Sequence, residues 1–124
     1  MDIEVVEEAS GTRVLFSGNA TVDSAARARE ELLRVLDKAG ELIIDVGGLV
    51  KVDVSFFQVL IAAEHSAMQE NKSIRIDADN PSEQFTAAAL RAGFCHGREH
   101  LVPNYTHPIL SEYFSAVMQE GKNG

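Results

Sequence analysis

The sequence predicts an α/β domain with a mixed sheet, on three observations. Short apolar runs alternate with longer segments of helical periodicity along the chain. The first two β-branched runs are joined by a short turn, which makes a hairpin and so an antiparallel pair. The run Leu42-Ile43-Ile44, extended by Val46, is apolar on consecutive positions, the mark of a central strand covered on both faces. With 124 residues, 45% of them apolar and 24% charged, the chain has the size and composition of one globular domain over 1–124.

The elements follow in order. Ile3 to Glu8 and Thr12 to Ser17 form the hairpin around Ala9-Ser10-Gly11, and Gly18-Asn19 ends it. Thr21 or Asp23 caps a helix running to about Lys38. Val22, Ala25, Ala26, Leu32, Leu33 and Leu36 mark its apolar face, and Gly40 stops it. The strand from Glu41 follows, with Gly47-Gly48 as a tight exit. Phe56 to Ala63 is too long and alanine-rich for another strand, so it reads as a mostly buried helix. One narrow stripe of that helix stays weakly polar: Ser55, Gln58, Ala62, His65 and Gln69, at alternating spacings of three and four. Glu64 is read with that stripe as part of a docking face.

Ser73 to Ala78 alternates as a half-exposed strand, with Ile74 and Ile76 on one side. Asn80-Pro81-Ser82-Glu83 reads as a helix start with Asn80 as cap, and Gly93 as the stop. Cys95 to Asn104 lacks periodicity apart from a short edge strand at Leu101-Val102. Thr106 caps a last helix over about 107–120, with Ile109, Leu110, Tyr113, Phe114 and Val117 as its stripe, and Gly121 to Gly124 is a frayed tail.

Charge and cysteine usage narrow the function. The net charge is −8 and the isoelectric point near 4.9. An acidic surface repels phosphate backbones and anionic lipid, which argues against nucleic-acid and membrane roles. A single cysteine, Cys95, makes no internal disulfide, and the acidic start is no signal peptide, so a cytoplasmic setting is expected.

The chemistry-bearing residues gather at the start of the second helix. Helix amino ends carry free N–H groups and a positive dipole that favour anions. A phosphate on Ser55 would be tolerated there and would set about two negative charges beside Asp53. From spacing alone, the commoner arrangement is Asp53 as an N-cap and Ser55 as a small first-turn residue.

The stretch LIIDVGGLVKVDVSFFQVLIAA resembles the signature of STAS domains, the fold of bacterial anti-sigma factor antagonists. Ile43-Ile44-Asp45 is similar to the family's strand end, and Asp53-Val54-Ser55 to its Asp-Ser-Ser motif, whose second serine, the phosphorylated one, falls on Ser55. Ile74-Arg75-Ile76, then Asn80-Pro81-Ser82 and the helix to Ala92-Gly93-Phe94 resemble the next strand and helix, so the likeness covers about Ile3 to Phe94. Val54 replaces the first serine and Phe56 the following glycine. The Asp-x-Ser-Phe form is also similar to STAS proteins of chemotaxis signalling.

The resemblance implies a four- to five-stranded mixed sheet with helices mainly on one side. It implies partner switching under phosphorylation of Ser55, with Asp53, Val54, Ser55, Phe56, Gln58, Ala62 and His65 as the partner-binding residues. The implied partners are an anti-sigma factor or a serine kinase and a phosphatase. The alternative is a non-phosphorylated adaptor in a chemotaxis or other bacterial signalling assembly.

Two other chemistries are weighed and set aside. Cys95, His96, His100 and His107 carry zinc-type ligand atoms, but lack paired short spacings, so no metal is expected. Ser55 as a nucleophile needs a base, and His65 on the same helix is about 15 Å away at a rise of about 1.5 Å per residue. No nucleophile elbow or phosphate loop is present, so no catalytic residue and no cofactor are expected and an enzyme is the least supported class.

Overall fold

The computed structural model describes residues 1–96, 102–103 and 108–123. The chain runs β1 (Asp2–Glu8), β2 (Gly11–Ala20), α1 (Val22–Lys38), β3 (Glu41–Val52), α2 (Val54–Gln69), β4 (Ser73–Ile76), α3 (Glu83–Ala92), β5 (Cys95–His96), β6 (Val102–Pro103) and α4 (Pro108–Asn123). The main sheet has the order β1-β2-β3-β4. β1 and β2 are antiparallel, and β2–β3 and β3–β4 are parallel. This is the mixed sheet that the hairpin followed by alternating strands and helices predicts.

Strand alternation separates two faces. Val14, Phe16, Leu42, Ile44 and Val46 join one buried apolar cluster. Facing them are Ala28, Leu32 and Leu36 of α1, Phe56, Phe57 and Leu60 of α2, Phe85 of α3, and Ile109, Leu110, Tyr113 and Phe114 of α4. The aromatic rings interlock: Phe56 meets Phe16 edge-on at 5.2 Å, and Phe85 meets Tyr113 edge-on at 5.3 Å. The opposite face carries the intervening residues Arg13 and Asp45, in a charged network described below.

Several local readings change. Gly47-Gly48 is not an exit: β3 continues to Val52 through two register shifts against β2. The first lies where Leu15 pairs Asp45 and Ser17 pairs Gly48, and the second leaves Val50 as an extra residue between Leu49 and Lys51. These are bulges, which accept glycine and re-aim side chains. Asp45 Oδ1 accepts the Gly47 N–H at 2.9 Å within the first. Likewise β2 passes Gly18, at φ +83°, and ends at Ala20.

In α1 the buried residues are Ala28, Leu32, Val35 and Leu36, at helical spacing, whereas Val22 is 70% exposed. Val22 occupies the first turn, beyond the sheet it was expected to cover. The cap of α3 is Ser82 rather than Asn80: Ser82 Oγ accepts the Phe85 N–H at 3.1 Å, and Tyr113 Oη accepts the Ser82 N–H at 3.2 Å. Gly93 closes α3 at φ +84°, in the left-handed region.

β6 pairs with β5 in a separate two-stranded ribbon rather than lining the main sheet, and Leu101 lies outside the described residues. α4 starts at Pro108, where the missing N–H costs nothing, and continues through Gly121 to Asn123 instead of fraying there. A lone glycine weakens a helix by about 1 kcal/mol and does not by itself end it. The Thr106 cap falls outside the described residues.

Candidate functional site

The site is built where β2 and β3 end side by side. Ala20 pairs with Val52 in the last rung of the ladder. One residue later the Asp53 N–H donates to Ala20 O at 3.1 Å, which fixes the backbone of Asp53 between the starts of α1 and α2. Asp53 is extended (φ −122°, ψ 179°) and caps α2, as its position predicts.

Both carboxylate oxygens of Asp53 are used. Oδ1 accepts the Ser55 N–H at 3.0 Å and the Ser55 hydroxyl. Oδ2 crosses to α1 and accepts the Val22 N–H at 3.0 Å. One side chain therefore satisfies amino-terminal N–H groups of two helices. The Ser55 hydroxyl bond, then the Ser55 and Val22 N–H groups and the charge of Lys51, hold the Asp53 carboxyl below its ordinary value against the opposing cost of burial. The start of α1 is braced separately: Ser24 Oγ accepts the Thr21 N–H at 3.1 Å and donates to Asn19 O at 3.0 Å.

Ser55 is partly exposed in the first turn of α2. Gln58, His65 and Gln69 are exposed and Ala62 is half-buried, so the predicted stripe does run along the solvent side. Two residues assigned to that surface leave it. Phe56 is 1% exposed, because position 56 faces the sheet, where its ring packs against Phe16 and Phe85. Glu64 is buried, and its carboxylate accepts the Ile109 N–H at the start of α4.

The structure adds Val22 and Val50, which periodicity missed, beside Val54, which the family resemblance already places in the partner surface. Val54 is 50% exposed, and Val22 and Val50 more so, at 70% and 66%. Val22 meets Asp53 through its N–H, Val54 follows it in sequence, and Val50 lies in the second bulge, three residues before it. A run of valines reads as strand or core, and only the second bulge in β3 and the early start of α1 turn them outward. Met68, near the other end of α2, is also exposed.

A second polar cluster lies on the other sheet face. Arg13 Nη1 donates to Asp77 Oδ2 at 2.6 Å and to Asp45 Oδ2 at 3.4 Å, and Arg13 Nε to Glu8 Oε2 at 3.0 Å. Asn80 Nδ2 donates to Asp45 Oδ1 at 3.2 Å. So Asp45, read as a strand-end carboxylate, is a structural anchor joining β2, its own strand β3 and the loop after β4.

Among the described residues no group of histidine, cysteine and acidic side chains is arranged to hold a metal, and no helix is long and apolar enough to cross a membrane. His100 and His107 of the weighed ligand set lie outside the described residues.

A family model described as "Mlab, STAS domain" matches residues 3–103. No match was found among curated proteins. That match spans the hairpin, the parallel pair and the Asp53–Ser55 helix start, and the four-stranded mixed sheet with its helices is consistent with it. The chain therefore belongs to the STAS domain family, anti-sigma-factor-antagonist-like modules that work through protein contacts and as a rule are not enzymes.

Proposed function

We propose that the chain is a partner-binding regulatory module whose contact is switched by phosphorylation of Ser55. The observation that carries this reading is the placement of Ser55: it is partly exposed at the amino end of α2, its hydroxyl donating to Asp53, while the next two residues, Phe56 and Phe57, are sealed in the core. Added charge at Ser55 therefore changes the surface without disturbing the packing beneath it. The docking surface consists of Asp53, Val54, Ser55, Gln58, Ala62 and His65, joined by Val22 and Val50.

The modifying partner is a serine kinase using a nucleoside triphosphate. The bond from Ser55 Oγ to the γ-phosphorus forms, the bond from that phosphorus to the bridging oxygen breaks, and the nucleoside diphosphate leaves. The hydroxyl proton passes to the kinase's base, and a phosphatase resets the site by hydrolysis. An anti-sigma factor, which need not be separate from the kinase, is the partner released. The module acts in the cytoplasm as a single domain, without cofactor or catalysis of its own. Its net charge of −8 disfavours nucleic acid and anionic lipid as partners.

The exposed valines favour one second reading, a constitutive adaptor in a chemotaxis or other signalling assembly, since an apolar contact needs no phosphate. Ser55→Asp and Ser55→Ala separate the two. Under switching, Ser55→Asp loses the partner and Ser55→Ala holds it; equal binding by both variants and the wild type rejects switching. Intact-mass measurement on protein from its native cell then looks for the phosphate adduct itself.

A further inference from the structure

Asp53 is more than a cap, because its two oxygens serve different helices. Oδ1 holds the Ser55 N–H and hydroxyl on α2, and Oδ2 holds the Val22 N–H on α1. The backbone of Asp53 is pinned by its own N–H on Ala20 O and by Asp53 O, which accepts the Phe56 N–H at 3.2 Å. The movable part is the carboxylate alone. We propose that Asp53 is a clamp between α1 and α2 that phosphorylation of Ser55 opens, so that the state of Ser55 is transmitted to Val22 on a different helix. The inference rests on Ser55 being the modified residue and names how that site is read.

The chemistry is a competition between anions. Phosphorylation removes the hydroxyl proton that Ser55 donates to Asp53. It also places a phosphate of about two negative charges within the same first turn. That phosphate seeks the same amino-terminal N–H groups, which favour the stronger anion. Lys51, close enough to act on the Asp53 carboxyl, offers it a counter-charge. The Asp53 carboxylate is repelled, and Oδ2 leaves the Val22 N–H. Val22 is 70% exposed and apolar, so a partner seated across Val22, Val50 and Val54 meets a changed α1 as well as a charged α2.

The test uses the full chain with phosphoserine placed at position 55 during translation, and reads solvent exchange of the Val22 amide by NMR. Loss of one charge-assisted hydrogen bond should speed that exchange about tenfold or more. Asp53→Ala should give a similar rise without phosphate, and Ser55→Ala should leave exchange unchanged. With Asp53→Ala there is no clamp left to open, so phosphoserine added to that variant should speed Val22 exchange no further. Unchanged exchange in the phosphoserine chain overturns the clamp, as does a further rise when phosphoserine is added to Asp53→Ala. No partner is present in these measurements. The clamp can therefore fail while Ser55→Asp still abolishes partner binding, and switching can fail while the clamp responds.

Discussion

The carboxylate of Glu64, on α2, accepts the backbone N–H of Ile109 at 2.7 Å, at the first turn of α4. The helix that carries Ser55 therefore also caps the C-terminal helix, and one element ties the candidate switch to the last packed segment of the chain. An anion is favoured at that position because the first N–H groups of α4 have no partner within the helix.

Glu64→Ala is expected to destabilise the protein by about 1–3 kcal/mol, since it strips a buried N–H of its acceptor. Glu64→Gln keeps an oxygen there and should recover most of the loss. Urea unfolding midpoints measure both. Equal midpoints for the wild type and Glu64→Ala would show that α4 is held by its apolar stripe alone.

Position 56 separates packing from display. Phe56→Ala should cost about 3–5 kcal/mol by opening a cavity between Phe16 and Phe85. Val54→Ser, two residues earlier and half exposed, should stay within about 0.5 kcal/mol of the wild type. Thermal or chemical unfolding of the two variants checks this contrast directly. Comparable losses at both positions would contradict the burial order that keeps the docking surface separate from the core.

Much of this was legible in the sequence, and its failures have physical causes. The order of strands and helices follows from local periodicity, and Asp53 as the cap of α2 follows from its place before an apolar helix. The length of β3 did not, because a glycine pair signals a turn unless a partner strand turns it into a bulge, and β2 lies more than twenty residues away. Val22 and Val50 were missed for the same reason: their exposure depends on that bulge and on where α1 meets the sheet. Glu64 is read into the solvent stripe because it is charged, whereas helical spacing puts it about 180° from Ser55, on the buried side that meets α4. Arg13, Asp45 and Asp77 are brought together across 32 and 64 residues of chain, beyond any local pattern.

Gly47 tests the bulge. A β-carbon at this position would overlap the Asn80 side-chain amide, which donates to Asp45. Gly47→Ala should therefore expel Asn80 and cost about 1–2 kcal/mol. Asn80→Ala removes the obstacle at the price of the same hydrogen bond. The double variant should then be distinctly more stable than the sum of the single losses predicts. Additive losses in urea unfolding would show that the Asn80 side chain is not what excludes a β-carbon at Gly47.

Asp77 should contribute to the acid limb of the stability curve. Burial alone would push its carboxyl up; the Asp79 N–H at 2.9 Å and the Arg13 guanidinium at 2.6 Å outweigh burial and hold it below the ordinary carboxylate value. In the unfolded chain the group returns to about 3.9. A carboxyl depressed by folding stabilises the native state fully above that unfolded value, and the contribution drains away as pH falls through the lower native one. The Asp53 carboxyl is depressed too and acts in the same direction. Stability should therefore be flat with respect to these groups from neutral pH down to about pH 5, then fall as the pH drops below about 4. Asp77→Asn should cost about 1–3 kcal/mol at pH 7, because Arg13 keeps only Glu8 and the longer bond to Asp45. It should also flatten the acid limb, since one of the protons taken up on unfolding is gone. Urea midpoints at pH 7, 5, 4 and 3 for the two proteins give both quantities. Parallel curves for the wild type and Asp77→Asn would show that the Arg13–Asp77 pair does not set the acid response.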